Sequence, residues 1–248
     1  MRKYGKAVKR ETLLMLAYML CLGFLFGPFY YQYQNTKQEK AELYLKDVNE
    51  AAAFVSASIE EEREKPKIAI TFDDGPSGGW TPVLLDGLKE RGVKGTFFLI
   101  GQNVEKYPDL VKRLHEEGHL IGNHTYHHVE ITKISEDEAS REILDTNEAI
   151  CRITGEEVEY MRPPFGAWQR DLELKMPVLP VMWTIDPLDW TTENTDEVVN
   201  KVVTEAEEND IILLHDCYKS SVEAALRIID ILQREGFEFV TVDELMMN

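Results

Sequence analysis

The sequence predicts an α/β fold built on a parallel sheet, open or closed into a barrel, and two observations carry that expectation. From Lys67 onward, short β-branched and apolar runs alternate with longer segments of helical period. Repeated βα units of this kind favour a parallel sheet. Polar residues capable of chemistry also recur where the strand runs end: Asp73-Asp74, His124, Arg162, Asp186 and His215. In parallel α/β sheets the carboxyl ends of the strands are where chemistry sits.

The chain has 248 residues with 44% hydrophobic content, enough for one core plus appendages. Residues 1–11 form a basic tail, with Arg2, Lys3, Lys6, Lys9 and Arg10 and no acid before position 11. Residues 12–31 carry no charge and match the thickness of a bilayer core as a helix. Basic residues before the run place the amino terminus in the cytoplasm and the bulk outside, and Phe29, Tyr30, Tyr31 and Tyr33 resemble an interfacial belt. A cleaved signal peptide is the competing reading. The small-residue stretch Val55-Ser56-Ala57-Ser58 lies too far from the apolar run to be its cleavage site, which favours an uncleaved single-pass anchor. Residues 32–66 are rich in helix formers and read as a helical stalk that ends at Lys65-Pro66.

The folded domain is expected over 67–248. Its strands are expected at 68–72, 95–100, 119–122, 158–162, 178–185, 211–214 and 237–241. Helices are expected near 81–91, 104–117, 135–153, 170–175, 196–207 and 221–235. Ser135 and Glu138 have the form of a capping box at the start of the third helix. Beyond residue 10 there are 22 basic against 45 acidic residues, so the domain repels nucleic acid and that partner class is excluded. The three cysteines, Cys21, Cys151 and Cys217, show no paired spacing, which indicates neither a disulfide framework nor a thiolate metal site. Cys151 and Cys217 are expected to be buried as small apolar residues.

Thr71-Phe72-Asp73-Asp74-Gly75-Pro76 places two adjacent carboxylates where a strand stops, since Pro lacks a ladder N–H and Gly permits a sharp turn. Neighbouring strand residues point to opposite sides, so one carboxylate could bind a metal while the other acts as a base. His124 and His128 are four apart and share a face if the segment is a helical turn. Two imidazoles and one carboxylate suit an open zinc-type site, with Asp74 as the third ligand. His127 points elsewhere and is unassigned, His119 reads as a hydrogen-bonded core histidine, and His115 as a helix-surface residue. Arg162 opens the rigid turn Arg162-Pro163-Pro164-Phe165-Gly166, where it could brace a carboxylate in two-pronged fashion. The Phe165 N–H could serve an oxyanion. Asp186-Pro187-Leu188-Asp189-Trp190 offers two carboxylates beside an aromatic. His215 ends the buried strand Ile211-Ile212-Leu213-Leu214, where a nearby carboxylate would make it a tunable acid.

In this order the five motifs resemble the polysaccharide deacetylases of carbohydrate esterase family 4, the NodB-homology domain, over about residues 66–248. The resemblance implies a distorted (β/α) barrel of about seven parallel strands. It implies Asp73 as catalytic base held by Arg162, and Asp74, His124 and His128 as ligands of one divalent ion, Zn2+ first, with Co2+, Mn2+ or Ni2+ as alternatives. His215 becomes the general acid, tuned by Asp189. The Phe165 N–H helps bind the oxyanion, and Trp190 and Leu213 wall a pocket for the acetyl methyl. The family position at Phe165 is often Tyr, but its role uses the backbone. The implied activity is metal-dependent removal of N-acetyl groups from a cell-surface polysaccharide, with peptidoglycan N-acetylglucosamine as the substrate that the topology favours. An O-acetyl esterase on xylan or peptidoglycan, and an inactive membrane-anchored glycan-binding protein, are the alternatives.

Overall fold

The strand Lys67–Asp73 (β1) is apolar on both faces, and six of its seven residues are buried. Such a strand needs cover on both sides, which a parallel sheet with outer helices supplies. The computed structural model describes residues 2–61, 65–168 and 178–247, except for the side chains of 2–14, 17, 21, 53 and 55–61. The chain divides into two units, 1–64 and 65–248.

In the second unit the described residues form seven strands. After β1 come Thr96–Leu99 (β2), Leu120–Asn123 (β3), Tyr160–Met161 (β4), Leu179–Pro180 (β5), Ile211–His215 (β6) and Glu238–Val240 (β7). The order is β5-β4-β3-β2-β1-β6, with β7 also on β1, and every pairing is parallel. Beyond β5 the chain turns back to the opposite edge. Leu213 donates its N–H to the Ile185 carbonyl and Ile185 donates to Ile211. The sheet therefore curls into a half-barrel whose carboxyl ends share one mouth.

The first unit holds one helix, Arg2–Glu61 (α1), with Pro28 inside it. In the second unit the helices Thr81–Arg91 (α2), Gly101–Lys106 (α3), Pro108–Glu116 (α4), Glu136–Thr154 (α5), Thr195–Glu205 (α6), Lys219–Arg234 (α7) and Val242–Met246 (α8) follow. Both halves of the Ser135–Glu138 capping box form at the start of α5. The helix expected over 104–117 is split, because Pro108 opens α4 and cannot donate to the turn before it. The core gathers Ile68, Ile70 and Phe72 of β1 with Phe97 of β2 and Val222, Ile228 and Leu232 of α7. Phe72 and Phe97 stack at 4.9 Å.

Two expectations fall partly or wholly outside the described residues. The helix near 170–175 lies outside them. The expected transmembrane run 12–31 lies within α1, but the side chains of 12–14, 17 and 21 are not described. Among the described residues no helix is long and apolar enough to cross a membrane, so the structure gives the anchor no support. Cys151 and Cys217 are partly exposed rather than buried. Cys151 sits one step round α5 from Ile150, at the margin of its buried stripe.

Candidate active site

β1 ends on Asp73, which is 4% exposed, and the next residue, Asp74, takes a left-handed φ of 70°. That backbone state is costly for a residue with a Cβ, on the order of 1–3 kcal/mol. It turns the second carboxylate out of the strand's alternation. Gly75 is demanded by close approach: a Cβ there would lie 2.5 Å from Asp216 Oδ2. Asp216 follows β6, is fully buried, and accepts the Thr81 hydroxyl at 2.5 Å. Burial pushes its carboxyl up to about 7, against the pull of the Thr81 bond.

Arg162 directly follows β4 and is 0% exposed. Nη1 donates to Asp73 Oδ1 at 2.8 Å and to the Thr71 hydroxyl at 2.7 Å. Nε donates to the Val181 carbonyl and Nη2 to that of Met182, each at 3.1 Å. The expected two-pronged grip on a carboxylate is therefore absent, because the other nitrogens hold carbonyls beyond β5. The guanidinium also lies 4.3 Å over the Phe98 ring. Burial lowers its pKa, and the charge and hydrogen bond of Asp73 oppose that.

His124 follows β3. Its Nδ1 lies 2.6 Å from the Arg162 carbonyl. A carbonyl only accepts, so Nδ1 carries the proton and Nε2 presents a lone pair. Nε2 stands 3.4 Å from Asp74 Oδ1, and His128 Nε2 stands 3.3 Å from the same oxygen. Asp74 Oδ1 is buried with no hydrogen-bond partner. Two imidazole nitrogens and a carboxylate oxygen converging at this range leave a place for a cation among them. Donors at 2.0–2.1 Å from one tetrahedral zinc would stand roughly 3.3 Å apart. One ligand atom from each of Asp74, His124 and His128 lies within 4.8 Å of the others. The donor set thus fits a divalent ion. Asp74 keeps a lowered pKa: burial raises it, but His124, His215 and His128 together outweigh burial. Burial lowers that of His128, partly offset by Asp74.

The two imidazoles do meet, but not on a helical turn. The segment after β3 is a loop, with φ 62° at Thr125 and 56° at His128. His127 is directed to Glu142 instead, 2.7 Å away.

Across the mouth, His215 ends β6. Asp189 is 1% exposed and meets it twice, accepting the His215 N–H at 2.9 Å and holding Nδ1 at 2.8 Å. Nε2 is left facing Asp74 Oδ2 at 4.0 Å. Burial disfavours the imidazolium, but the Asp189 bond and charge, with Asp73 and Asp74 behind it, lift it to about 9. The His215 imidazole and the Asp73 carboxylate thus flank one donor set. Asp73 divides its oxygens likewise, Oδ1 to Arg162 and Oδ2 at 3.9 Å from His124 Nε2.

These groups open into a cleft of about 400 Å³ walled by Phe165, Trp190, Leu213, Trp183 and Tyr218. Phe165 takes a left-handed φ of 62° and its exposed ring meets His128 edge-on at 4.9 Å. Trp190 is exposed and Leu213 buried. All ten residues singled out from sequence line this cleft or brace groups that do. Sequence reasoning missed Thr71, Trp183 and the buried carboxyl of Asp216. Asp216 stood beside His215 at a strand end, which was its readable signal. Nothing local marks Thr71 as a partner of Arg162, 91 residues away.

A histidine, a carboxylate and a metal-type ligand set around one cleft make an arrangement suited to hydrolysis. The model of the polysaccharide deacetylase family matches residues 60–179. The chain is 39% identical to a peptidoglycan-N-acetylglucosamine deacetylase of Bacillus cereus over 74% of its own length and 70% of that protein. It is 41% identical to the peptidoglycan-N-acetylglucosamine deacetylase PgdA of Listeria monocytogenes over 72% of its length, but spans only 38% of that protein. The solved structure of peptidoglycan deacetylase PdaC from Bacillus subtilis superposes with a TM-score of 0.72 at 37% identity, covering 74% of this chain and 91% of that one. The chain belongs to the polysaccharide deacetylases of carbohydrate esterase family 4, and is a hydrolase of that family.

Proposed function

We propose that the protein removes N-acetyl groups from peptidoglycan, with N-acetylglucosamine as the sugar. The observation that carries this reading is the placement of Asp73 and His215 on either side of the unpartnered Asp74 Oδ1 and its two imidazole neighbours. The substrate follows from the relatives named above. Asp74, His124 and His128 would hold one divalent ion, Zn2+ in the first instance, with Co2+, Mn2+ or Ni2+ as substitutes. When bound, such an ion supplies Lewis acidity toward a carbonyl and a water molecule.

The protein's own residues do the rest. Asp73 Oδ2 takes a proton from the attacking water, while Arg162 holds Oδ1 and fixes the angle of the carboxylate. The left-handed turn at Phe165 presents that residue's N–H to the oxygen that gains charge. His215 delivers a proton from Nε2 to the departing amine, because Asp189 occupies Nδ1 and stabilises the charged ring. Without that proton the amide nitrogen is a poor leaving group. Trp190 and Leu213 wall the space for the acetyl methyl.

We further propose that the charge-free run 12–31 anchors the chain in the cell membrane as a single-pass segment, with the amino terminus inside and residues 67–248 facing the wall. Sedimentation with membranes that resists high salt, and protease access to the domain in intact cells, would support this. A freely soluble chain would refute it.

Acetate release tests the activity. The full chain should release acetate from N-acetylated glycan strands, stop after chelation and recover with Zn2+. Release from O-acetylated xylan alone would move the assignment to an esterase.

A further inference from the structure

His127 is the histidine of the 124–128 run that the reaction leaves unused. Its ring stands exposed, with Nδ1 2.7 Å from Glu142 Oε1. Glu142 comes from α5, and its side chain is only 15% exposed. Its second oxygen, Oε2, accepts the backbone N–H of Tyr126 at 2.9 Å and that of His127 at 2.8 Å. One carboxylate thus takes two consecutive amides from the loop that joins His124 to His128.

That loop needs holding. Thr125 and His128 both have left-handed φ, a state that residues with a Cβ keep only where the surroundings impose it. Several of its other backbone groups are also engaged. The Thr125 N–H goes to Asn123 Oδ1 and the Val129 N–H to the Thr125 hydroxyl. The Thr125 and Tyr126 carbonyls accept from Gly101 and Gln102 of α3. The amides of Tyr126 and His127 turn the other way, toward α5. The loop is clamped between two helices, and Glu142 is the clamp on one side.

We propose that Glu142 is a positioning residue: its carboxylate fixes residues 126–127 so that His124 and His128 present Nε2 together beside Asp74 to a divalent cation. The His127 ring adds a third, weaker contact to the same carboxylate. This rests on the metal-ligand assignment made above. Without Glu142 the two amides turn to solvent and the left-handed states relax. His128 moves first, because it carries its own strained φ and is more exposed than His124. Partners one shell out from a metal ligand typically change affinity by about 10–100-fold when removed.

Reach and charge can be separated. Glu142→Gln loses the charge but keeps an oxygen at the right distance for both amides, and its NH2 can donate to Nδ1 of the other histidine tautomer. Glu142→Asp keeps the charge but falls short by one methylene. The full-length chain, solubilised in mild detergent and stripped of metal, is titrated with Co2+ and followed by visible absorption. Amide exchange at Tyr126 and His127 is read in the metal-free protein.

Glu142→Ala and Glu142→Asp should weaken Co2+ binding by about 10–100-fold and speed exchange at the two amides. Glu142→Gln should stay close to the parent in both. Should Glu142→Ala fail to fold, the contrast between Gln and Asp still decides. Tight binding by Asp with weak binding by Gln would mean attraction of the cation by charge, and would overturn the proposal. So would equal affinity in all variants. A parent that takes up no Co2+ would instead sink the metal-site reading itself.

Discussion

His119 and His215 occupy opposite ends of the same sheet, and the protein treats them in opposite ways. His119 precedes β3 at the amino end, where Nδ1 accepts the Gly95 N–H and the ring packs edge-on against Phe97. Burial, with Lys94 and Arg113 adding to it against Glu117, pushes it down to about 4. His215 closes β6 at the carboxyl end, where Asp189, Asp73 and Asp74 overcome a similar burial and lift it to about 9. Burial therefore does not decide a histidine's charge. The sign of the groups converging on it does, and in this fold the carboxylates converge at the carboxyl mouth. The backbone shows the same polarity. Of six non-glycine residues with left-handed φ among those described, Asp74, His128, Phe165 and Leu188 line the cleft, Thr125 lies in the loop between His124 and His128, and only Asn209 lies elsewhere.

The sharpest way to break the comparison is to replace one residue from each end. Asp73→Asn and His215→Ala should each cut acetate release by roughly 10²–10⁴-fold, whereas His119→Gln should leave turnover close to the parent. Equal losses at both ends would mean that the mouth has no special role. Next in size is metal removal. Chelation should abolish turnover, and restoring Zn2+ to a hundredfold excess over its dissociation constant should stabilise the fold by about 2.7 kcal/mol. A melting temperature unmoved by Zn2+ would count against the ligand set.

Asp189→Asn sharpens the contrast by making the environment of His215 more like that of His119. The alkaline limb of kcat/KM, set where His215 loses its proton, should move to lower pH by roughly 1–3 units. An unmoved limb would take His215 out of the acid role. The smallest effect is on stability against pH, and the two histidines act with opposite signs. His119 folds with its pKa depressed, so its contribution is full above about 6.5 and is lost as pH falls through about 4. His215 folds with its pKa raised, so its contribution is full below about 6.5 and is lost as pH rises through about 9. Each proton is worth at most about 1.4 kcal/mol per pH unit within its window. Urea titrations of His119→Gln should lose part of the acid-side slope and keep the alkaline one.

Much of this polarity was legible in the sequence. The alternation of strand and helix signals located the seven described strands, and the polar residues at strand ends marked groups that gather at the mouth. The misreadings came where a partner lay far off or the backbone left the regular states. The spacing of His124 and His128 would put them on one face of a helical turn, but Thr125 and His128 pass through left-handed φ, which no composition cue marks in residues with a Cβ. Glu142 looked like any acid on α5, because its partners are amides 15 and 16 positions back. The split at Pro108 and the capping box of Thr241 and Glu244 on α8 have local sequence signals, a proline at a helix start and a Thr three residues before a Glu.

Arg162 has a consequence for how the molecule assembles. Its side chain joins Thr71 and Asp73 on β1 to the carbonyls of Val181 and Met182, and its own carbonyl holds His124. These groups are brought together only when the chain beyond β5 has docked. Docking of that segment and placement of the proposed base are then one event, so a chain caught part-way through synthesis or refolding should have no working site. Deacetylase activity should return during refolding together with the last tertiary signal, and activity that returned earlier would contradict this.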